Sequence, residues 1–171
     1  FNGGTFTTTG GDPIYADPAF TGTIKLTNGA KFVSNAPVNF GAGAQGTFIL
    51  DGGILESSAV AIKNQAATSV QLLSGNVVAS GSKSAIDTTG NASGSWTFGK
   101  PDGPGPTITA TSTSNSNSLI YLNAGVDTLT HTFYGGTYEH KGTGKTFNMG
   151  KAATVKIEGG AFKSNSGPVL N

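Results

Sequence analysis

The sequence predicts an all-β chain that folds as a right-handed parallel β-helix, or β-solenoid, of about seven turns. Three observations predict this fold. A short motif of alternating apolar and polar residues recurs along the chain, most copies carry a glycine or a glycine pair at the same place, and the composition favours strands over helices. The repeat runs through residues 1–171, which predicts a single domain.

The repeat is clearest at residues 155–162 (VKIEGGAF), where apolar and polar residues alternate before a glycine pair. Residues 48–55 (FILDGGIL) and 131–138 (HTFYGGTY) follow the same pattern, and 70–77 (VQLLSGNV) keeps one glycine. Because side chains alternate between the two faces of a strand, like positions of stacked turns form ladders inside. The predicted core ladder is Phe1, Leu26, Leu50, Leu72, Phe98, Phe133 and Ile157.

Successive members of this ladder are 25, 24, 22, 26, 35 and 24 residues apart. A sandwich or jelly roll also has short strands separated by turns, but it does not predict a motif at a near-constant period. The glycine pairs predict sharp bends that need positive φ or close backbone approach. These turn glycines are Gly3, Gly4, Gly52, Gly53, Gly135, Gly136, Gly159 and Gly160.

A Pro/Gly-rich insertion at residues 99–106 interrupts the fifth copy of the motif, and the outlying spacing of 35 contains it. An insertion that projects from a regular solenoid is a candidate contact element. Its possible contact residues are Lys100, Pro101, Asp102 and Pro104.

The composition excludes several classes of function. The net charge is +1 and all ten basic residues are lysines, so neither nucleic acid nor anion recognition is indicated. The chain has no cysteine, which excludes disulfides and thiolate metal sites. No apolar run approaches the roughly 20 residues of a membrane-spanning helix.

No catalytic, cofactor-binding or metal-binding residue is predicted, and the chain is not expected to be an enzyme. Glycosidases need two carboxylates at a defined separation. The equivalent pair Glu56 and Glu139 falls about three turns apart. His131 occupies an inward position and is expected to be a core histidine, whereas His140 is expected at a solvated edge. The register also places Glu56 and Glu139 among the equivalents of Thr7, which argues against a flat threonine face.

The copies LDGGIL, FYGGTY, IEGGAF and FNGGTF resemble the Gly-Gly-x-aromatic repeats of right-handed β-helix surface proteins of bacteria, such as autotransporter passengers and adhesin-like proteins. The resemblance covers nearly the whole chain. It implies a parallel β-helix, an extracellular or cell-surface location, and a spacing or adhesive role.

Neither end of the repeat carries a recognisable polar cap. Two interpretations remain open: the repeat continues in a longer solenoid, or copies of the chain stack head to tail. The sequence therefore predicts a non-enzymatic extracellular structural protein that stacks with itself. The alternatives are an adhesin that binds a glycan or a cell-surface receptor, and, less favoured, a carbohydrate-active β-helix enzyme.

Overall fold

A computed structural model describes residues 1–88, 93–114, 116–122, 129–149 and 153–170. Every regular element in these ranges is a β-strand, and all named strand pairs are parallel. The seventeen strands are β1 Thr5–Thr7, β2 Ile14–Ala16, β3 Thr23–Thr27, β4 Lys31–Ser34, β5 Val38–Phe40, β6 Thr47–Ser57, β7 Ile62–Asn64, β8 Ser69–Ala79, β9 Ile86–Thr88, β10 Trp96–Phe98, β11 Pro106–Ala110, β12 Ser118–Leu122, β13 Thr130–Phe133, β14 Thr137–His140, β15 Lys145–Met149, β16 Thr154–Ile157 and β17 Ala161–Ser164.

The strands stack as a solenoid with about six full turns, spread over seven coils of which the first and last are incomplete. Each complete coil contributes two strand segments to a large sheet, separated by a bend, and one strand to a second sheet of six strands. In coils 3 and 4 the two segments join into the single bent strands β6 and β8. The predicted right-handed parallel β-helix of about seven turns is confirmed.

Coils 1 to 7 begin in sequence at Phe1, Thr23, Thr47, Ser69, Ser95, Thr130 and Thr154. Coil 1 lacks the first strand segment and pairs there only through a bridge from Asn2 to Thr27. The described residues of coil 7 form no strand in the second sheet. They contact it at a bridge from Leu170 to Phe147, where the amide of Phe147 donates a hydrogen bond of 2.9 Å to the carbonyl oxygen of Val169.

Like positions of successive coils lie directly above one another, as stacking of the repeat requires. The register pairs Leu26 with Leu50, Leu50 with Leu72, and Leu72 with Phe98, and it continues to Ile157. A second ladder follows the bend, and a third fills the second sheet. The second ladder is Phe6, Phe32, Leu55, Val77, Ile108, Tyr138 and Phe162, and the third is Ile14, Val38, Ile62, Ile86, Ile120 and Phe147.

The glycines at the bend allow neighbouring backbones to approach closely. Gly75 has φ 104°, and a Cβ on it would overlap the carbonyl oxygen of Gly53 in the coil below. A Cβ on Gly53 would lie 2.7 Å from Cδ1 of Leu50, although Gly53 itself has no positive φ. Close approach of the neighbouring backbone therefore restricts Gly75, in addition to its positive φ, whereas packing against ladder side chains restricts Gly53.

The insertion adds fewer residues than its sequence position suggests. Phe98 pairs with Leu72 and Thr107 pairs with Asn76, so the eight residues 99–106 replace the three residues 73–75 and the insertion adds five. The spacing of 35 therefore contains both the insertion, as expected, and extra residues between β11 and β13. Pro106 already belongs to β11, so the loop occupies residues 99–105.

No helix in the described part of the chain has the length and hydropathy to cross a membrane.

Candidate assembly interface at the two ends

The core ladder is buried in the interior and exposed at both ends. Its five interior members are at most 1% exposed: Leu26, Leu50, Leu72, Phe98 and Phe133. The end members Phe1 and Ile157 are 54% and 47% exposed. Because every coil covers the apolar side chains of its neighbour, a terminal ladder residue lacks its cover on one side.

The first coil presents an aromatic cluster. The rings of Phe1 and Phe6 lie 5.3 Å apart, edge to face, and both contact the buried ring of Phe32 in coil 2. Phe6 remains 40% exposed. Phe1 is held by its backbone, since its carbonyl oxygen accepts a hydrogen bond of 3.0 Å from the amide of Thr27. The cluster is thus fixed on coil 2, with two ring surfaces turned to solvent.

The last coil presents an apolar cavity. Its volume is about 280 Å³, and it is open to solvent. Five apolar side chains line it: Phe147, Met149, Val155, Ile157 and Leu170. The cavity lies where coils 6 and 7 meet, since β15 supplies Phe147 and Met149 and β16 supplies Val155 and Ile157.

Both ends also expose strand edges in the part of the chain that the structure describes. β1 pairs with β4 alone, and at the other end β16 pairs only with β13 and β17 only with β14. Such edges can accept another parallel strand. Apolar ladder ends and open edges therefore coincide at each end of the solenoid.

The four candidate contact residues of the insertion, Lys100, Pro101, Asp102 and Pro104, are all exposed. The tip is a turn in which the amide of Gly103 donates to the carbonyl oxygen of Lys100, with Asp102 at φ 60°. Nζ of Lys100 lies 2.9 Å from Oδ1 of Asp51 in coil 3. The loop is thus folded back along the solenoid, with an exposed tip.

The stem of this loop rests on the bend of coil 6. A Cβ on Gly105 would lie 2.5 Å from backbone atoms of Gly135, and one on Gly135 would lie 3.3 Å from the carbonyl oxygen of Gly103.

Among the predicted turn glycines, five have positive φ: Gly3, Gly4, Gly52, Gly136 and Gly160. The other three are Gly53, Gly135 and Gly159.

The outward carboxylates of the large sheet are paired with lysines. Asp51 lies 3.7 Å from Lys25 and 2.9 Å from Lys100, and it also accepts a hydrogen bond of 3.0 Å from Ser74. The hydrogen bond from Lys100 is the main cause that holds the pKa of Asp51 below its ordinary value. Glu56 likewise pairs with Lys31 in the neighbouring coil, at 2.8 Å.

The other charged groups in the described ranges are spread over separate coils. Glu56 pairs with Val78, and the same column reaches Glu139 three coils on, as the repeat predicted. Among the described residues no group of three or more His, Asp or Glu side chains could hold a metal ion. Burial raises the pKa of Asp87, an effect that Lys63 and Lys83 partly oppose.

Both histidines are buried in coil 6. His131 is 2% exposed, at the expected inward position, and its Nδ1 accepts a hydrogen bond of 3.3 Å from the amide of Trp96. Our expectation for His140 was wrong, since this side chain is fully buried. It lies two residues after Tyr138, and the alternation along β14 turns both side chains inward. The sequence contained this information. Tyr138 matches the apolar last position of the repeat, so a residue two positions later should face the same side of the strand.

Sequence reasoning also missed a column of hydroxyl side chains. Each copy of the repeat starts with a residue whose side chain faces inward. In six successive coils the residue just before it is a serine or a threonine, and the side chain at this position faces outward. The column is Thr23, Thr47, Ser69, Ser95, Thr130 and Thr154. Extending the repeat by one residue would have found it. The column through Thr7, in contrast, is mixed as expected, and includes Val33, Glu56 and Val78.

The chain matches no protein-family model, and neither a curated protein nor a solved structure matches it.

Proposed function

We propose that this chain is a non-enzymatic, extracellular structural protein, a rigid β-solenoid rod that stacks end to end into a filament. The observation that carries the proposal is the pair of unlike ends. One end offers an exposed aromatic cluster and the other an open apolar cavity, and each also offers a strand edge.

The interior of the solenoid supports the role of a stiff rod. Leu50, Leu72 and Phe98 are fully buried and stacked in register. Their coils are joined by continuous parallel ladders in both sheets. Seven coils span six intervals of about 4.8 Å, so the rod is roughly 30 Å long between its two end coils. The extracellular location rests on the resemblance of the Gly-Gly-x-aromatic repeats to bacterial surface proteins.

The stacking has physical support in the behaviour of apolar surface. Monomeric solenoids require polar caps, because a bare terminal coil leaves both apolar side chains and backbone hydrogen-bonding groups in water. Phe1, Phe6, Ile157 and Leu170 are all at least 40% exposed. A head-to-tail contact covers both ends and, because it does not close, extends into a filament.

The test is negative-stain electron microscopy of the purified chain, with light scattering across a range of concentrations. We expect fibres of constant width, in which each subunit adds roughly 34 Å along the axis, from seven coils of about 4.8 Å each. Separate rods of one subunit length at every concentration would overturn the stacking.

Adhesion is the second candidate, and the insertion loop favours it. The tip that contains Pro101, Asp102 and Pro104 is exposed, while its base is held by Lys100 on Asp51. An exposed tip on a fixed base is suited to binding a glycan or a cell-surface receptor. The test is glycan-array and cell binding of the chain, beside a variant in which residues 99–105 are shortened to the length of coil 4.

A further inference from the structure

The register of the solenoid specifies how two copies would fit together. If the columns continue from one copy into the next, Ile157 lies over Phe1, Phe162 lies over Phe6, and Ala161 lies beside Thr5 of the following copy. The core ladder and the second ladder of one copy are then each continued by an apolar residue of the next copy. No charged pair of like sign is created on this part of the outward face, because Lys163 meets Thr7.

The exposed ring at one end and the cavity at the other belong to the same column. The cavity on coil 7 is lined partly by Ile157, the residue that the column places against Phe1 of the next copy. Its volume of about 280 Å³ is large enough for a phenyl ring. Phe1 is more than half exposed, and its ring is already fixed by Phe6 and Phe32. A protruding ring therefore faces an apolar cavity.

Pairing of two like ends would not give this fit. Two first coils face to face would bring two protruding aromatic clusters together, and two last coils would bring two cavities together. A two-fold contact also reverses the strand direction across the interface, whereas every named strand pair within the solenoid is parallel. Only unlike ends continue the ladders.

We propose that the contact is made in one register: the Phe1 ring of one copy fills the apolar cavity on coil 7 of the next, and β17 pairs in parallel with β1. This inference rests on the proposed stacking function and specifies its partner as a second copy of the chain. Thr5 and Ala161 of adjacent copies then lie about one strand spacing apart, ~4.8 Å between Cα atoms.

Cysteine cross-linking tests the register, since the chain has no cysteine of its own. The double variant Thr5→Cys/Ala161→Cys should form covalent multimers under mild oxidation, because ~4.8 Å lies within the Cα separation of disulfides. The control Thr7→Cys/Ala161→Cys moves one cysteine two residues along the strand, to roughly 8 Å, beyond that range. All three positions lie outside the core.

The outcomes separate the register from the stacking. Fibres in which only the Thr5/Ala161 pair cross-links support the proposal. Fibres in which neither pair cross-links, or the control pair does so better, overturn the register and leave the stacking intact. Dimers of either single-cysteine variant would reveal like-end contacts and overturn the proposal. A chain that forms no fibres at all overturns the proposed function and the register together.

A second measurement addresses the ring and its cavity. The variant Phe1→Ala should raise the critical concentration for fibre formation at least tenfold. Tyr15→Ala is its matched control, because Tyr15 is 57% exposed on the same coil but points outward from β2. Its critical concentration should stay within about twofold of the parent chain. Equal effects of the two variants would overturn the role of the Phe1 ring.

Discussion

The interior and terminal coils carry the same columns in different surroundings. Leu50 in coil 3 is fully buried, whereas Ile157, four coils further along the same column, is 47% exposed. Both occupy the same position of the same motif. The comparison teaches that in a solenoid the neighbouring coils, rather than the residue's own coil, supply burial. A motif position is therefore core in the middle of the stack and solvent-exposed at its end.

The largest expected effect is the difference between truncating these two ladder residues. Leu50→Ala should lower the free energy of unfolding by about 2–5 kcal/mol, because it leaves a cavity between two covering coils. Ile157→Ala should cost less than about 1 kcal/mol in the monomer, since much of its side chain is already in water. Urea unfolding below the stacking concentration measures both. Equal losses would contradict the contrast between interior and terminal coils.

The bend glycines allow the same comparison for the backbone. Gly75→Ala places a Cβ against the carbonyl oxygen of Gly53 and should be severely destabilising. Gly29→Ala is the matched control, because Gly29 has φ 72° but nothing within 4 Å of its added Cβ. We expect Gly29→Ala to cost roughly 1–2 kcal/mol from conformational strain alone. Overpacking should cost Gly75→Ala about 1–3 kcal/mol more. Similar melting curves for both variants would contradict the close approach of the coils.

The third prediction concerns pH and coil 6. Burial lowers the pKa of His131 to about 4, so the folded state favours the neutral ring, whereas the unfolded chain binds a proton near the ordinary value of 6.5. The contribution of the neutral His131 ring to the free energy of unfolding is therefore present above pH 6.5 and is lost as the pH falls towards 4. This loss of unfolding free energy is at most on the order of 3 kcal/mol. Protonation would also remove the acceptor of the Trp96 amide.

Unfolding by urea at several pH values checks this expectation, with His131→Phe as the comparison because the neighbouring positions of its column are the apolar Trp96 and Val155. The parent chain should lose more stability than the variant between pH 6.5 and 4. Burial also lowers the pKa of His140, which remains in both chains and cancels from the difference. Parallel pH profiles would show that His131 is not responsible.

The smallest expected effect lies on the outward face. Asp51→Asn removes the pairing of one carboxylate with Lys25 and Lys100, whereas Glu56→Gln removes a single pair with Lys31. Partly exposed ion pairs are each worth about 0.2–1 kcal/mol. We expect Asp51→Asn to be the more destabilising of the two, and 1 M salt to shrink the difference. A larger effect from Glu56→Gln would contradict the role of Asp51 in joining coils.

Much of the fold could be predicted because the motif encodes its own register. The apolar positions from Leu26 to Phe98 repeat at a near-constant spacing, and only stacked coils bury them together. The position of the insertion within the motif was also visible. The path of the insertion along the solenoid was not visible. Lys100 pairs with Asp51, which is 49 positions away in the sequence, and no local pattern specifies that contact.

The candidate interface was only half visible in the sequence. The core ladder placed apolar residues at Phe1 and Ile157, but it did not show the exposed ring of Phe1 or the cavity beside Ile157. Both depend on how side chains from several coils and from the second sheet meet at an end. The burial of His140 shows the same limit on a smaller scale, since its polar neighbours in sequence suggested a solvated edge.

The sequence by itself determined the class of the fold, the period of the coils and the columns that fill the core, because strand alternation and glycine bends are local properties that repeat. The tertiary structure decided where the insertion folds, which terminal side chains protrude and where a cavity remains open. Those features arise from contacts between coils, and a periodic sequence is nearly the same in the middle of the stack as at its ends.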